Sequence, residues 1–194
     1  MNSVGVLSLQ GSVAEHMRSL SRIDGVEACE VKSISDLEKV SGLILPGGES
    51  TTIGKLLKDF GLLEPIVKRI NEGMPVWGTC AGMILMAKKI VNENYIHLGV
   101  MDIAVKRNAY GAQLDSFSIK TDIPKISSKD FPVVFIRAPW VESVENGVEV
   151  LVSIHDKIVA VQQGHMLATS FHPELTEDLS FHKYFVGMIK QSCN

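Results

Sequence analysis

Cysteine is scarce in this chain: Cys29, Cys80 and Cys193 are the only three in 194 residues, widely spaced and odd in number. That spacing, with no CxxC pair, argues against a disulfide framework and for a reducing, cytoplasmic setting. Basic runs are missing as well. The 19 Lys and Arg are balanced by 22 Asp and Glu, for a net charge of −3, which excludes the electrostatic footprint of a nucleic-acid or membrane-surface binder. Long apolar runs are absent, and the opening MNSVGVLSLQG has no basic lead, so neither a signal peptide nor a membrane span is expected. Repeats, low-complexity segments and linkers are also lacking. What is present is an apolar content of 45% over 194 residues, enough to bury one substantial core. A single domain over 1–194 is expected.

Strand and helix signals alternate in the first half. Val4 to Leu9, Glu27 to Val31, Leu43 to Leu45 and Pro75 to Trp77 are short apolar runs, as buried strands require. Between them, Ala14, Met17, Leu20 and Ile23 share a helical face after Ser12. Ser50 is placed to cap a second helix, Pro65 marks a break at or in a third, and Ala81 to Val91 reads as a strong fourth. The second half is rich in short β runs: Asp102–Lys106, Phe117–Thr121, Val133–Ile136, Val148–Ser153, Ile158–Gln162 and Met166–Ser170. A last helix is expected from Asp178 to Gln191. Parallel βαβ units, then antiparallel additions and a closing helix, predict a three-layer α/β/α sandwich on a mixed, mostly parallel sheet. Sites in such folds lie at the carboxyl ends of the parallel strands.

Three motifs fall at such ends. Gly78-Thr79-Cys80-Ala81-Gly82 joins a buried strand to a helix, in the manner of a nucleophile elbow carrying cysteine. The glycines relieve crowding around a strained turn, the helix N-terminus favours a thiolate, and the Ala81 N–H can donate to an oxyanion. A small buried cysteine in a Gly-rich turn is the plain alternative. In Ser170-Phe171-His172-Pro173-Glu174, proline keeps His172 extended. Residues two apart in extended chain share a face, so Glu174 can orient the imidazole. Taken alone, this reads more simply as a satisfied surface histidine in a turn before the last helix; beside GxCxG, a Cys-His-Glu triad explains it better. In Leu45-Pro46-Gly47-Gly48-Glu49-Ser50, the glycines can present a second oxyanion donor, or simply form a turn into a capped helix.

PGGES, GTCAG and SFHPE in this order resemble the class I, triad-type glutamine amidotransferases. VLSLQG, LPGGEST, Arg107-Asn108-Ala109-Tyr110-Gly111, Ser116-Phe117, Phe135-Ile136-Arg137-Ala138-Pro139 and SFHPELTED resemble, more narrowly, the glutaminase subunits of pyridoxal 5′-phosphate synthase. The match covers essentially the whole chain from Val4. One departure stands out: Ala112 occupies a place that is usually basic in that family.

The resemblance implies a flavodoxin-like amidotransferase fold that hydrolyses L-glutamine with Cys80 as nucleophile, His172 as acid and base, and Glu174 orienting His172. It also implies Gly48 and Ala81 as oxyanion donors. Gly47, Gly48, Glu49, Arg107 and the Ile136-Arg137 backbone would hold the substrate. The partner it implies is a separate (β/α)₈-barrel synthase subunit that receives the ammonia, with Gln10 and the first helix at the docking region. No cofactor or metal is implied.

The remaining candidates are bland. Cys29 and Cys193 read as inert. His16, His97, His155, His165 and His182 lack partner spacing and read as structural or surface groups. Met83 and Met86 read as core. A zinc deaminase, suggested by His-x-Glu, needs a downstream Pro-Cys-x-x-Cys that is missing. An amidotransferase serving a different synthase, a cysteine hydrolase of similar fold, and an inactive regulatory module of the same fold remain as alternatives.

Overall fold

The computed structural model describes residues 2–107, 116–126 and 128–192. Asn108 to Ala112 and Cys193 therefore lie outside the described residues.

Strands form at the predicted apolar runs, with ends shifted by one or two residues. β1 (Asn2–Leu7), β2 (Val26–Val31), β3 (Gly42–Leu45), β4 (Val76–Thr79) and β12 (Met166–Thr169) form the parallel half of a ten-stranded sheet, in the order β2-β1-β3-β4-β12. β11 (Lys157–Gln163) then runs antiparallel to β12, β9 (Trp140–Val144) antiparallel to β11, and β6 (Met101–Lys106) antiparallel to β9. β5 (Ala87–Ile90) closes the edge parallel to β6, while β10 (Glu149–Ile154) pairs with β11 off this path. A separate hairpin joins β7 (Ser116–Ile123) to β8 (Ser128–Ile136).

Side-chain alternation divides the core into two layers. Leu43, Leu45, Val76 and Ala168 face one side, with α2 (Ile34–Leu37), α3 (Ser50–Asp59), α4 (Leu63–Asn71) and α5 (Ala81–Met86) supplying Leu37, Ile53, Leu57, Ile66, Ile70 and Met83. Val4, Val6, Ile44, Trp77 and Leu167 face the other, covered by α1 (Val13–Ser21), α6 (Ser180–Ser192) and the β7–β8 hairpin. An aromatic cluster of Trp77, Phe131, Phe171, Phe181 and Phe185 cements that second layer. This is the expected α/β/α sandwich on a mixed sheet.

Several local expectations are corrected. The helix after Cys80 stops at Met86 rather than running to Val91. Ala87 to Ile90 instead follows a buried–exposed–exposed–buried pattern along β5, and pairing with β6 overrides local helical preference there. Ser50 is the first residue of α3, not its cap. Glu49 holds the extended cap conformation, and its carboxylate accepts the Thr52 N–H at 2.7 Å. Pro65 sits in the first turn of α4, where its missing N–H costs nothing. Neither α2 nor β9 was legible: α2 is only four residues long, held by a Ser33–Asp36 capping box, and β9 has a weak alternation of burial.

Candidate active site

The carboxyl ends of β1, β3, β4 and β12, four neighbours in the sheet, converge on one open cleft of about 470 Å³. Gln10, Gly47, Gly48, Glu49, Cys80, Ala81, Arg107, Ile136, Arg137 and His172 all line it. Every cleft residue singled out from sequence is thus brought together, and Glu174 lies immediately behind His172.

Cys80 bridges β4 and α5 at φ 48°, ψ −101°, a left-handed conformation that costs an L-residue on the order of 1–3 kcal/mol. Its neighbours explain how the turn closes. A Cβ on Gly78 would lie 2.5 Å from the Gly82 carbonyl carbon, and one on Gly82 would lie 2.1 Å from the Leu45 oxygen. Both glycines of GxCxG are therefore dictated by backbone approach. The Cys80 N–H is fixed to the Thr169 carbonyl at 2.8 Å. Its thiol is only 7% exposed and points to the Ile136 carbonyl oxygen at 3.9 Å.

His172 leaves β12 with its own N–H bonded to Val134 of β8 at 2.9 Å. Its Nδ1 lies 2.7 Å from Glu174 Oε1. The pairing arises differently from the extended-chain expectation, because Pro173–Leu175 is a turn of 3₁₀-helix that folds the carboxylate back under the ring. Burial alone would lower the His172 pKa. Hydrogen bonds to the Cys80 and Glu174 side chains outweigh it and hold the imidazole at about 10. Burial likewise pushes Glu174 upward, but nearby His16, the bond from His172 and the Ser12 hydroxyl at 2.7 Å hold it at about 2. His172 is thus held as an imidazolium between the Glu174 carboxylate and the Cys80 sulfur.

The Gly47-Gly48 turn packs against this pair so closely that a Cβ on Gly47 would lie 2.4 Å from His172 Cε1. Ser12 N–H secures the Gly47 carbonyl at 3.0 Å, and Gln10 Oε1 accepts the Glu49 N–H at 2.8 Å. Gln10 is thus tied into the cleft wall rather than being a free strand end.

Glu49 has two loyalties. One carboxylate oxygen caps α3 and accepts from Thr51 and Thr52. The other meets Arg107 Nη2 at 3.2 Å. Burial is the largest single influence and raises its pKa, but the bonds from Thr51 and Thr52 together outweigh it and hold it at about 2. Arg107 is in turn braced by Tyr95 Oη at 2.5 Å, with Glu93 at 3.7 Å. The site thus carries a fixed anion and cation side by side at its mouth. Arg137, opposite, has φ 43°, another strained position on the cleft wall.

Sequence reasoning missed Ser12, Tyr95 and His16. Ser12 and His16 approach Glu174 only because α1 packs against the turn after β12, a contact across about 160 residues of chain that no local pattern signals. Of the other histidines set aside, His165 bonds the Ile70 carbonyl and His155 occupies a left-handed turn; neither touches the cleft. Among the described residues no helix is long and apolar enough to cross a membrane.

Comparison with known proteins agrees with this architecture. A solved structure titled as a glutamine amidotransferase superposes with a TM-score of 0.91 at 47% identity, over 96% of this chain and 98% of that one. The structure of PurLQS from Thermotoga maritima, at 18% identity and TM-score 0.66 over 100% of this chain and 99% of that one, shares the fold. The pyridoxal 5′-phosphate synthase subunit PdxT of Thermoanaerobacter sp. (strain X514) is 60% identical over 95% of this chain and 98% of its own length. The protein of the same name from Ruminiclostridium cellulolyticum is 57% identical over 97% and 100%. With residues 6–191 matching the model of the SNO glutamine amidotransferase family, the chain belongs to that family.

Proposed function

We propose that the chain is the glutaminase subunit of a pyridoxal 5′-phosphate synthase, releasing ammonia from L-glutamine for a (β/α)₈-barrel synthase partner. Membership of the SNO family and the PdxT name of its relatives support the substrate and the pathway. The observation that carries the chemistry is the meeting of Cys80, His172 and Glu174 at the ends of β4 and β12, beside two glycines.

In this reading the Cys80 thiolate attacks the side-chain carboxamide carbon of glutamine, forming a tetrahedral oxyanion. The N–H groups of Gly48 and Ala81 receive that charge; one such donor is worth roughly 10²–10³ in rate. The C–N bond then breaks, His172 delivers a proton to the departing nitrogen, and ammonia and a γ-glutamyl thioester result. Water, deprotonated by the now neutral His172, attacks the thioester. Glutamate leaves, and the Cys80 thiolate and His172 imidazolium are restored. Glu174 keeps the His172 Nδ1–H directed at itself and Nε2 toward sulfur, and stabilises the imidazolium.

Substrate recognition follows from charge. The Glu49 carboxylate suits the ammonium of glutamine and the Arg107 guanidinium its carboxylate, with Gly47 and the Ile136-Arg137 backbone closing the pocket. Gln10 and the start of α1 lie at the rim, where we place the docking edge for the synthase. The test is a glutamine-to-glutamate assay with and without the synthase subunit. Cys80→Ala and His172→Asn are expected to abolish ammonia release while leaving the fold intact. Full activity in either, with the partner present, overturns the triad.

A further inference from the structure

Behind the triad lies a second polar chain that this mechanism does not use. His16 of α1 and His182 of α6 are both fully buried, yet neither is packed simply as an apolar ring. His16 Nε2 lies 3.5 Å from Glu174 Oε2 and 3.2 Å from Thr79 Oγ1, on the residue just before Cys80. His16 Nδ1 lies 3.1 Å from His182 Nε2. Both rings pack edge-on to Trp77, whose indole N–H is bonded to Thr169 at 3.2 Å. The row Glu174–His16–His182 thus crosses the second core layer, joining the triad carboxylate to two helices.

We infer that His16, its tautomer set by His182, is a positioning residue for Glu174: its neutral ring donates Nε2–H toward Glu174 Oε2 and so holds the carboxylate in line with His172. This rests on the glutaminase reading above. The direction of the chain follows from which atoms can donate. An ionised carboxylate only accepts. A His16 proton on Nε2 faces both this carboxylate at 3.5 Å and the Thr79 hydroxyl at 3.2 Å, and leaves Nδ1 an acceptor. His182 must then donate from Nε2, and its own Nδ1 is left bare.

That last consequence is met by the structure. His182 Nδ1 has no hydrogen-bond partner among the described residues, and a lone pair without a proton is the cheaper group to strand. Glu174 Oε2 likewise has no hydrogen-bond partner among the described residues, and His16 Nε2 at 3.5 Å is the nitrogen that approaches it. Neutrality is consistent with the surroundings. Burial first, and then the His172 cation, lower the His16 pKa, against a pull upward from Glu174 and Glu15. Burial, then His16, lower His182 to about 3, against Glu174.

Two measurements test this. ¹⁵N NMR of the histidine-labelled wild-type chain at neutral pH should show His16 and His182 as neutral Nε2–H tautomers. An Nδ1–H tautomer or an imidazolium at His16 overturns the assignment without any variant having to fold. In steady-state glutaminase assays with the synthase subunit, His16→Phe keeps the ring but loses the donor. It should lower kcat about 10- to 100-fold, the worth of one hydrogen bond to a charged group, with KM for glutamine nearly unchanged. His16→Gln, whose amide nitrogen reaches the place of Nε2, should recover most of kcat; His16→Asn, which reaches only that of Nδ1, should not. Equal kcat in His16→Phe and wild type, or equal recovery by Asn and Gln, refutes the positioning role. A wild-type chain that releases no ammonia with its partner would instead refute the glutaminase reading, and the NMR result would still stand or fall by itself.

Discussion

Gly47→Ala is the sharpest steric probe of the site, because the substitution adds one methyl group and no charge. The new Cβ would lie 2.4 Å from His172 Cε1 and 3.0 Å from Nδ1. Ordinary contact begins near 3.4 Å, so something must retreat by about 1 Å. The turn cannot easily do so. Its Gly47 carbonyl is tied to the Ser12 N–H at 3.0 Å, and Gly11 packs so closely that a Cβ there would meet the same oxygen at 1.9 Å. The imidazole must therefore move against its 2.7 Å bond to Glu174. A displacement of about 1 Å at a reacting group costs on the order of 10² in rate, or about 2.7 kcal/mol of activation free energy. Overpacking of this kind costs roughly 1–3 kcal/mol of stability, so the variant should fold. The assay is steady-state ammonia release with the synthase subunit, alongside covalent labelling by a glutamine-analogue electrophile; both should fall together. Gly187→Ala is the control: nothing lies within 4 Å of its added Cβ on α6, and it should gain up to about 1 kcal/mol of stability. A folded Gly47→Ala enzyme with wild-type kcat would refute the placement of His172 against this turn.

Two further outcomes follow from charge. Arg107→Ala should raise KM for glutamine by about tenfold, the loss of one charge-assisted contact, with a smaller change in kcat; an unchanged KM removes Arg107 from the substrate pocket. Stability should also fall with acid in a way that reports on the buried histidines. His182, held down to about 3 by burial and His16, stabilises the fold above its ordinary value near 6.5, and that contribution is lost as pH falls from about 6.5 toward 3. Glu174, at about 2, adds a loss only below about 4.5. His172, raised to about 10, works the other way, its contribution complete below 6.5 and lost as pH rises toward 10. His182→Phe should therefore lose less stability between pH 6.5 and 5 than wild type, by at most about 2 kcal/mol. Parallel denaturation curves at both pH values in the two proteins would contradict a neutral buried His182.

The parallel half of the sheet was readable because buried strands must be short apolar runs, and VGVL, GLIL and VWGT have few other uses in a packed core. GTCAG announced its turn because both glycines answer a backbone approach that no side chain can fit. The helix after it was misread beyond Met86 because Ala87-Lys88-Lys89-Ile90 suits either a helix or an edge strand, and only β6, arriving later in the sequence, decides between them. Ser12 and His16 were unreadable for the same reason. Their role depends on α1 lying beside the turn after β12, a fact of tertiary packing rather than of local pattern. The zwitterion pair was legible only as charge logic: Glu49 and Arg107 come together because β6 ends at the mouth of a cleft built mainly by strands from the other half of the sheet.

The misread residues share a physical cause that ties the fold to the chemistry. A carboxylate buried as deeply as Glu174, only 6% exposed, is tolerated when surrounding donors replace its lost water. Ser12 from the start of α1, His172 beside it and His16 further along α1 provide that environment. His16 is in turn held by Thr79 of β4 and His182 of α6. The same few contacts that keep one anion charged in the interior therefore also pin α1, α6 and the end of β4 to the turn bearing His172. Orientation of the imidazole and docking of the second core layer are one set of interactions, so a substitution that loosens α1 should reach the sulfur without touching the cleft.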